Sequence, residues 1–379
     1  MISPKSGESI PLRYLRLVFL ALVVAVAVHP PVTAQGLRFT LFERYLDALR
    51  QQGRIPGLSA AIVSGRHIVW ERGFGYQDLG ALIPATPNTP YLIGDISQVF
   101  ASLLLMRCME SGTVRLDDPL SQWTEEVSPT GTTLRRVLAH VSGSTLPVFR
   151  YNPPQYTALT SVISACNNRS YPLVLSGEIF DRLAMFDSVP GRVGAEAGGL
   201  TAKLFTSKKV IQYRSVLERV ARPYRIDIRG RPVLSKHVDP GVNSSTGIVS
   251  TVRDLAKFGE ALDDNVLLFP ETRELMWANA FFQGGKAVPT GLGWFVQNYH
   301  GERIVWHFGL IPNAFSSLIV KVPTRDLALI ILANSDSLNA SFGLSEGNVT
   351  TSLFARLFLR VFVRPGVLSG GDLGSFLSN

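Results

Sequence analysis

Asp95-Ile-Ser-Gln98 puts a carboxylate and a carboxamide three residues apart, at the head of the long apolar run Val99 to Met109. Side chains at i and i+3 lie on one face of a helix, so the two can act on one point. Their types limit the chemistry. A carboxylate can exchange a proton or attack as a nucleophile, whereas glutamine has no proton to take up or release near neutral pH. The same spacing is also a capping box. An Asp at a helix start accepts from free N–H groups of the first turn, and a Gln three residues on reaches back to the Asp N–H. This predicts a helix cap at Asp95 worth about 1 kcal/mol, set against the reading in which Asp95 is a nucleophile. No lysine of the chain has a serine three residues before it. Thr206 precedes Lys209 at that distance but lacks the flanking pattern. Ser97 stands two residues beyond Asp95, about 200° round a helix, and is expected to point elsewhere. Histidines are scattered and cysteines few, so no metal-ligand spacing occurs and no metal or cofactor is expected.

The elements that must position these groups are legible as periodicities. Leu41, Phe42, Tyr45, Leu46 and Leu49 share a helical face, ended by Gly53 to Gly57. Leu58 to Val63 and His67 to Glu71 read as two strands joined at Ser64-Gly65, followed by a Gly- and Pro-rich loop, Gly73 to Pro90. A buried helix from about Ile96 stops at Ser111-Gly112. Short helices are expected at Leu134 to His140 and Tyr156 to Ala165, and an amphipathic one at Thr251 to Leu262. Strands are expected at Gly293 to Tyr299, Glu302 to His307, Ser316 to Val322 and Leu327 to Ala333, then a helix from about Thr351 to Val363. Strands at both chain ends with helices between imply a sheet closed across a long insertion, and a cleft between two lobes as the natural site.

The 379 residues are 46 % hydrophobic and 17 % charged, enough for a large core and too apolar for disorder over the body. Lys5, Arg13 and Arg16 precede the uncharged run Leu17 to Val28, and Val32-Thr-Ala34 offers small residues for cleavage after Ala34. This is the pattern of a secretory signal peptide, and twelve uncharged residues are few for a membrane span of roughly 30 Å. Export to the periplasm or medium is therefore expected, with an uncleaved anchor as the other reading. Cleavage removes three basic residues and Glu8, so the net charge falls from +8 to +6. Much of the remainder lies in 203–236, where ten basic residues face only Glu218 and Asp227. That stretch reads as a solvated face, or as a surface for membrane lipid or an anionic polymer. No nucleic-acid-binding signature accompanies it, so no nucleic-acid partner is expected. Cys108, inside the apolar helix, is expected to be buried and inert. Nothing in the sequence supplies a geometry for pairing it with Cys166.

Several segments, in order, carry a family resemblance over roughly residues 40–335. They are Ile55-Pro-Gly-Leu-Ser-Ala-Ala-Ile-Val63, Gly73-Phe-Gly-Tyr-Gln-Asp-Leu79, Leu116-Asp-Asp-Pro-Leu120, Val137-Leu-Ala-His-Val-Ser-Gly143, Ile179-Phe-Asp-Arg-Leu-Ala-Met185, and Ser244-Ser-Thr-Gly247 running into Asp254 and Phe258. Together the chain resembles the serine β-lactamase and penicillin-binding-protein family, in its class C, D-alanyl-peptidase and esterase branch. In that family a serine at a helix N-terminus attacks a carbonyl, a lysine one turn on lowers the serine's proton affinity, a tyrosine assists as base, and backbone N–H groups form an oxyanion hole. The resemblance puts Asp95 at the serine position and Gln98 at the lysine position. It puts Tyr151 at the general-base position of a Tyr-x-Asn motif whose asparagine is here Pro153, with Tyr156 keeping the second tyrosine's spacing. Trp306-His307-Phe-Gly309 resembles the family's His-x-Gly strand. By the resemblance His307 holds substrate or helps proton transfer, Asn152 and Gly309 lie along the substrate, and the Leu310 N–H is an oxyanion donor.

The expected fold is α/β (α+β), β-lactamase/transpeptidase-like: an antiparallel sheet from both chain ends, flanked by helices, plus a helical lobe. The expected domains are a signal peptide at 1–34 and a β-lactamase-related domain at 35–335. Within it, 35–115 with 251–335 forms the α/β lobe and 116–250 the mainly helical lobe, and 336–379 is a C-terminal helix and tail. Three functions compete. One is an exported pseudoenzyme whose cleft binds a small molecule, peptide or cell-wall fragment. Another is an active hydrolase of ester, amide or β-lactam bonds with an atypical nucleophile. The third is a structural envelope protein.

Overall fold

A computed structural model describes residues 34–124, 131–142, 148–191, 204–237, 241–283 and 286–364. The expected signal sequence before Ala34 lies outside the described residues, as do Gly143 and Lys203. The chain divides into two compact units, 1–43 and 44–379. The second unit holds the main sheet and the residues that the motifs single out.

Seven antiparallel strands make that sheet. In chain order they are β1 (Gly57–Ser64), β2 (His67–Asp78), β3 (Ile83–Pro84), β4 (Phe295–Tyr299), β5 (Glu302–Ile311), β6 (Phe315–Val322) and β7 (Leu327–Ala333). In space the order is β4-β5-β6-β7-β1-β2-β3, so the early and late strands meet at the β7–β1 pair, with Leu58 opposite Ala333 and Val63 opposite Ala328. β6 is buried throughout its length, as expected of a central strand covered on both faces. The expected fold is thus the observed one, with two strands longer than their sequence suggests. β2 runs on to Asp78 through the segment read as loop, and β5 runs on to Ile311. Pro312, which has no N–H to give a ladder, stands just beyond β5.

Helix α1 (Ala34–Gln52) precedes β1, and α2 (Ser97–Glu110) is the buried helix the apolar run predicted. The long insertion contains α3 (Leu134–Leu138), α4 (Leu159–Asn167) and α5 (Ser207–Leu217), and α6 (Val252–Asp263) returns the chain toward the sheet. Phe258 of α6 stacks on Phe100 of α2 at 4.1 Å between ring centroids. α6 is capped by Thr251, whose side chain accepts from the Asp254 N–H at 3.2 Å. Among the described residues no helix is long and apolar enough to cross a membrane.

Two expectations change. Cys108 is buried, but it is not a free thiol: it forms a disulfide with Cys166, tying α2 to the last turn of α4 across 58 residues. The basic stretch is also less bare than its local sequence. Acidic partners arrive from elsewhere: Asp181 for Lys209, Asp187 for Arg219 and Asp78 for Arg222, while Asp227 takes Arg231.

Candidate functional site

Position 95 is set by backbone packing. Ile93 and Gly94 pass directly over β5, where Gly94 adopts φ +57, and a Cβ added at Gly309 would come within 2.1 Å of the Ile93 carbonyl oxygen. No other residue fits that crossing without a shift of one segment against the other. The Ser317 hydroxyl of β6 donates to the same Ile93 carbonyl at 2.7 Å, which pins the turn to the sheet. The close neighbour of Gly309 is therefore the chain's own turn, where the sequence suggested a bound ligand.

Gly94–Ile96 forms a 3-10 turn that runs straight into α2. This overturns the expected capping box. The cap position of α2 falls to Ile96, no side chain caps either helix, and the Ser97 N–H is met by the backbone carbonyls of Gly94 and Asp95. With that donor already filled by backbone, the Asp95 carboxyl is free to turn toward β5. There the Leu310 N–H and the Tyr151 hydroxyl both favour its ionised form, but burial opposes it more strongly and lifts its pKa to about 7. Among the described residues no lysine or arginine acts on this carboxyl.

The Leu310 N–H is aimed from behind. Gly309 C=O and Leu310 N–H belong to one peptide plane and point opposite ways. Asn339 holds that plane by donating from Nδ2 to the Gly309 carbonyl at 3.0 Å and to the Ser317 carbonyl at 2.7 Å. Nothing in the sequence pointed to Asn339.

Gln98, wholly buried, does not reach back to the Asp95 backbone either. Its Oε1 lies 3.0 Å from His140 Nε2. The Asn152 N–H donates to His140 Nδ1 at 3.1 Å, so the ring proton sits on Nε2 and is donated to Gln98 Oε1. That leaves the Gln98 amide nitrogen facing away from His140, buried and without a partner of ordinary geometry. The Tyr151 hydroxyl is in the same condition. It lies close enough to Asp95 and Gln98 for both to alter its acidity, and burial together with the Asp95 charge holds its pKa well above the usual phenol range. His140 stacks on Tyr156 at 4.8 Å and meets Tyr151 at a tilt at 4.5 Å, and burial first, then His307, push its pKa far down. It was visible in the sequence only as part of a helix-end motif, and it proves to be the residue that orients Gln98.

The remaining expected residues divide. His307, on β5 opposite Ile319, is buried, and its Nδ1 lies 2.8 Å from the Phe308 carbonyl. Burial lowers its pKa to about 4, so it is a neutral ring near pH 7. Its ring centroid is 6.4 Å from that of Tyr151. Asn152 enters the site only through its backbone. Its side chain is exposed and its nearest partner is Gln155, at 3.5 Å. Tyr156 is structural: its hydroxyl donates to the Leu138 carbonyl at 2.6 Å. Ser97 is fully buried, with its oxygen accepting from the Ile248 N–H at 3.3 Å, so it is no replacement nucleophile. Asp95, Gln98, Tyr151, His307 and Leu310 are thus brought together, but among them are neither a hydroxyl nucleophile on the helix nor a lysine. No cluster of His, Cys, Asp and Glu among the described residues could hold a metal ion.

The family model described as Beta-lactamase matches residues 42–349. The chain belongs to that family. Members similar to this β-lactamase-family chain include Protein flp of Staphylococcus aureus (strain MW2), 24 % identical over 329 residues, covering 76 % of this chain and 61 % of that protein. The chain therefore spans less than two thirds of that relative's length. Among solved structures, the octameric penicillin-binding protein homologue from Pyrococcus abyssi has a TM-score of 0.70 at 21 % identity, covering 86 % of this chain and 77 % of the other. The D-amino acid amidase from Ochrobactrum anthropi SV3 has a TM-score of 0.60 at 24 % identity, covering 78 % and 91 %. These likenesses establish a shared fold for the β-lactamase-family scaffold seen here.

Proposed function

We propose that this β-lactamase-family chain is a non-acylating pseudoenzyme whose cleft binds a small molecule, peptide or cell-wall fragment. The observation that carries the reading is at position 95. Where the family resemblance calls for a serine stands a buried carboxyl, held by the Ile93-Gly94 crossing beside the strand that carries the Leu310 N–H, the group that would stabilise an acyl oxyanion. Acylation needs a nucleophile whose proton has a way out. Asp95 gives an anhydride instead of an ester, Gln98 accepts no proton, and its amide oxygen is already committed to His140. Donor, tyrosine and histidine remain, which suits recognition without covalent chemistry.

Export is part of the same proposal. The Cys108–Cys166 bridge supports it, since disulfides persist in oxidising compartments. N-terminal sequencing of the exported protein should begin near Gln35, and retention of Met1 would reject cleavage.

Intact-mass spectrometry after incubation with a penicillin and with an activated ester tests the central reading. No mass increase is expected. A stable adduct mapped to Asp95 or Ser97 would overturn it and promote the active hydrolase. Asp95→Ser combined with Gln98→Lys is the companion experiment, expected to form an adduct where the wild type forms none.

A further inference from the structure

The ion pairs of the basic stretch sort its charges by place. Lys209 and Arg219, in and just after α5, are met by Asp181 and Asp187, and Arg222 and Arg231 by Asp78 and Asp227. Arg225, Arg229 and Lys236 are exposed and make no ion pair among the described residues. All three lie in or beside one small hairpin. Its strands, Tyr224–Ile226 and Pro232–Leu234, pair antiparallel, and residues 227–231 turn between them. Arg54 brings a fourth exposed cation to the turn, donating from Nη1 to the Arg229 carbonyl at 3.1 Å and to the Gly230 carbonyl at 2.7 Å.

The same hairpin carries apolar surface. Ile228, in the turn, is the most exposed large apolar side chain among the described residues, with all of its surface open to solvent. The register puts Ile226, Pro232 and the exposed Leu234 on one face of the ladder and Arg225 with Val233 on the other. Bonds elsewhere hold the element in place. At its base the Tyr224 hydroxyl accepts from the Leu79 N–H and the Tyr224 N–H donates to the Asn334 carbonyl, both at 2.8 Å. In the turn the Asp227 carboxylate accepts from the Arg229 N–H at 2.9 Å and the Arg231 N–H at 2.8 Å, so the hairpin's acid is committed to its own backbone. The Ile228 side chain contributes nothing to that framework. A lone exposed apolar residue is ordinary on a protein surface. A fully exposed one in an anchored turn, among cations with no ion pair, complements a bilayer that is anionic at its headgroups and apolar beneath them.

We propose that this hairpin docks the protein on an anionic lipid bilayer, with Ile228 entering the interface and Arg54, Arg225, Arg229 and Lys236 meeting lipid phosphates. Charge alone would equally suit a soluble acidic polymer. The apolar turn decides between the two, since a bilayer removes Ile228 from water and a hydrated polymer does not. The inference is independent of the chemistry at position 95, and an adduct there would leave it untouched.

Vesicle flotation tests this on the full chain from Gln35, which lacks the basic and apolar segment before it. The vesicles are phosphatidylcholine, alone or mixed with phosphatidylglycerol. The wild type should float with the mixed vesicles and stay behind with the neutral ones. Arg225→Gln combined with Arg229→Gln should weaken binding about tenfold or more, from about fivefold for each cation lost near the surface. Ile228→Ser should weaken it about fivefold or more while the charge is unchanged. All three positions are exposed, so thermal melts should match the wild type. Depth is read separately. Both cysteines of the chain are held in the Cys108–Cys166 bond, so Ile228→Cys can carry a single nitrobenzoxadiazole dye. Its emission should brighten and shift to the blue with the mixed vesicles alone. The inference falls if the wild type ignores the mixed vesicles, if Ile228→Ser binds them as tightly as the wild type, or if the dye stays in water. Binding that depends on charge alone and is competed away by soluble polyphosphate would also overturn it, giving the surface to an acidic polymer.

Discussion

Two buried aspartates begin helices that pack together in this molecule, and they are treated in opposite ways. Asp254, in the first turn of α6, is almost wholly inaccessible, yet its carboxylate is surrounded by partners: Lys257 Nζ at 2.8 Å, the Asp187 N–H at 2.8 Å and the Ser188 hydroxyl at 2.9 Å. Asp95, just ahead of α2, makes no ion pair among the described residues, and only the Leu310 N–H and the Tyr151 hydroxyl favour its charge. Burial is the largest influence on both and raises both pKa values. The difference is in what offsets it. At Asp254 a cation and two further donors make the charge part of the fold. At Asp95 no such set of partners surrounds the carboxyl among the described residues, and burial dominates.

The comparison can be broken most sharply at Asp254. Asp254→Ala takes the shared acceptor from Lys257, the Asp187 N–H and the Ser188 hydroxyl, and it should cost about 3 kcal/mol in chemical denaturation. A near-neutral result would remove the distinction drawn between the two residues. The disulfide provides a control remote from both carboxylates. Cys166→Ser should cost about 2–3 kcal/mol while leaving the Asp95 titration in place. A titration that moved with it would mean that the anchorage of α2 sets the chemistry of its first turn. His140→Ala comes next. It strands the Asn152 N–H and frees Gln98, for a cost of about 2 kcal/mol, with a change in Tyr151 ring resonances as the local signature.

Asp95→Asn has the smallest expected effect and the opposite sign. A folded-state pKa near 7 against an unfolded value of 3.8 means the folded chain holds the extra proton between those values. Stability from this group is therefore full below pH 3.8 and lost as pH rises toward 7. The variant should gain about 1 kcal/mol at pH 8 and nothing at pH 4. A loss at pH 8 would restore the capping role that the sequence suggested. Carboxyl-carbon NMR titration of Asp95 checks the pKa directly.

The range of each interaction decided whether the chain alone made it legible. Leu327–Ala333 matches its expected limits because a continuous apolar run bounded by Asp326 and Asn334 is local information. The helix of 251–262 was equally local, with Leu255, Phe258 and Leu262 recurring on one inward face. β2 was cut short because Gly73 reads as a breaker. In the fold it is the place where the Ala85 carbonyl crosses so closely that an added Cβ would meet it at 2.0 Å. The capping box failed for a related reason. The pattern Asp-x-x-Gln is correct for a helix that begins at Asp95, but a turn held down by β5, β6 and Gly94 extends the helix backward and turns the carboxyl aside. Site positions 95, 98, 151 and 307 came from ordered motifs. Asn339 and the orienting role of His140 depend on contacts 30 and 42 residues away in the chain, which no local pattern encodes. The Cys108–Cys166 bond is of the same kind, a pairing decided by how two helices meet.

The backbone crossing at Ile93-Gly94 and Gly309 has one more implication. Because main chain lies on main chain there, with a serine hydroxyl and an asparagine amide as fasteners, the offset between residue 95 and the Leu310 amide does not depend on which side chain residue 95 carries. The scaffold works as a socket with a fixed contact, and the identity of the plug is open. A lineage can exchange the plug without rebuilding the socket, which makes a change of trade at this position a matter of very few codons. An engineer could use the same port, fitting cysteine, histidine or an unnatural residue at 95 and finding the amide already in position.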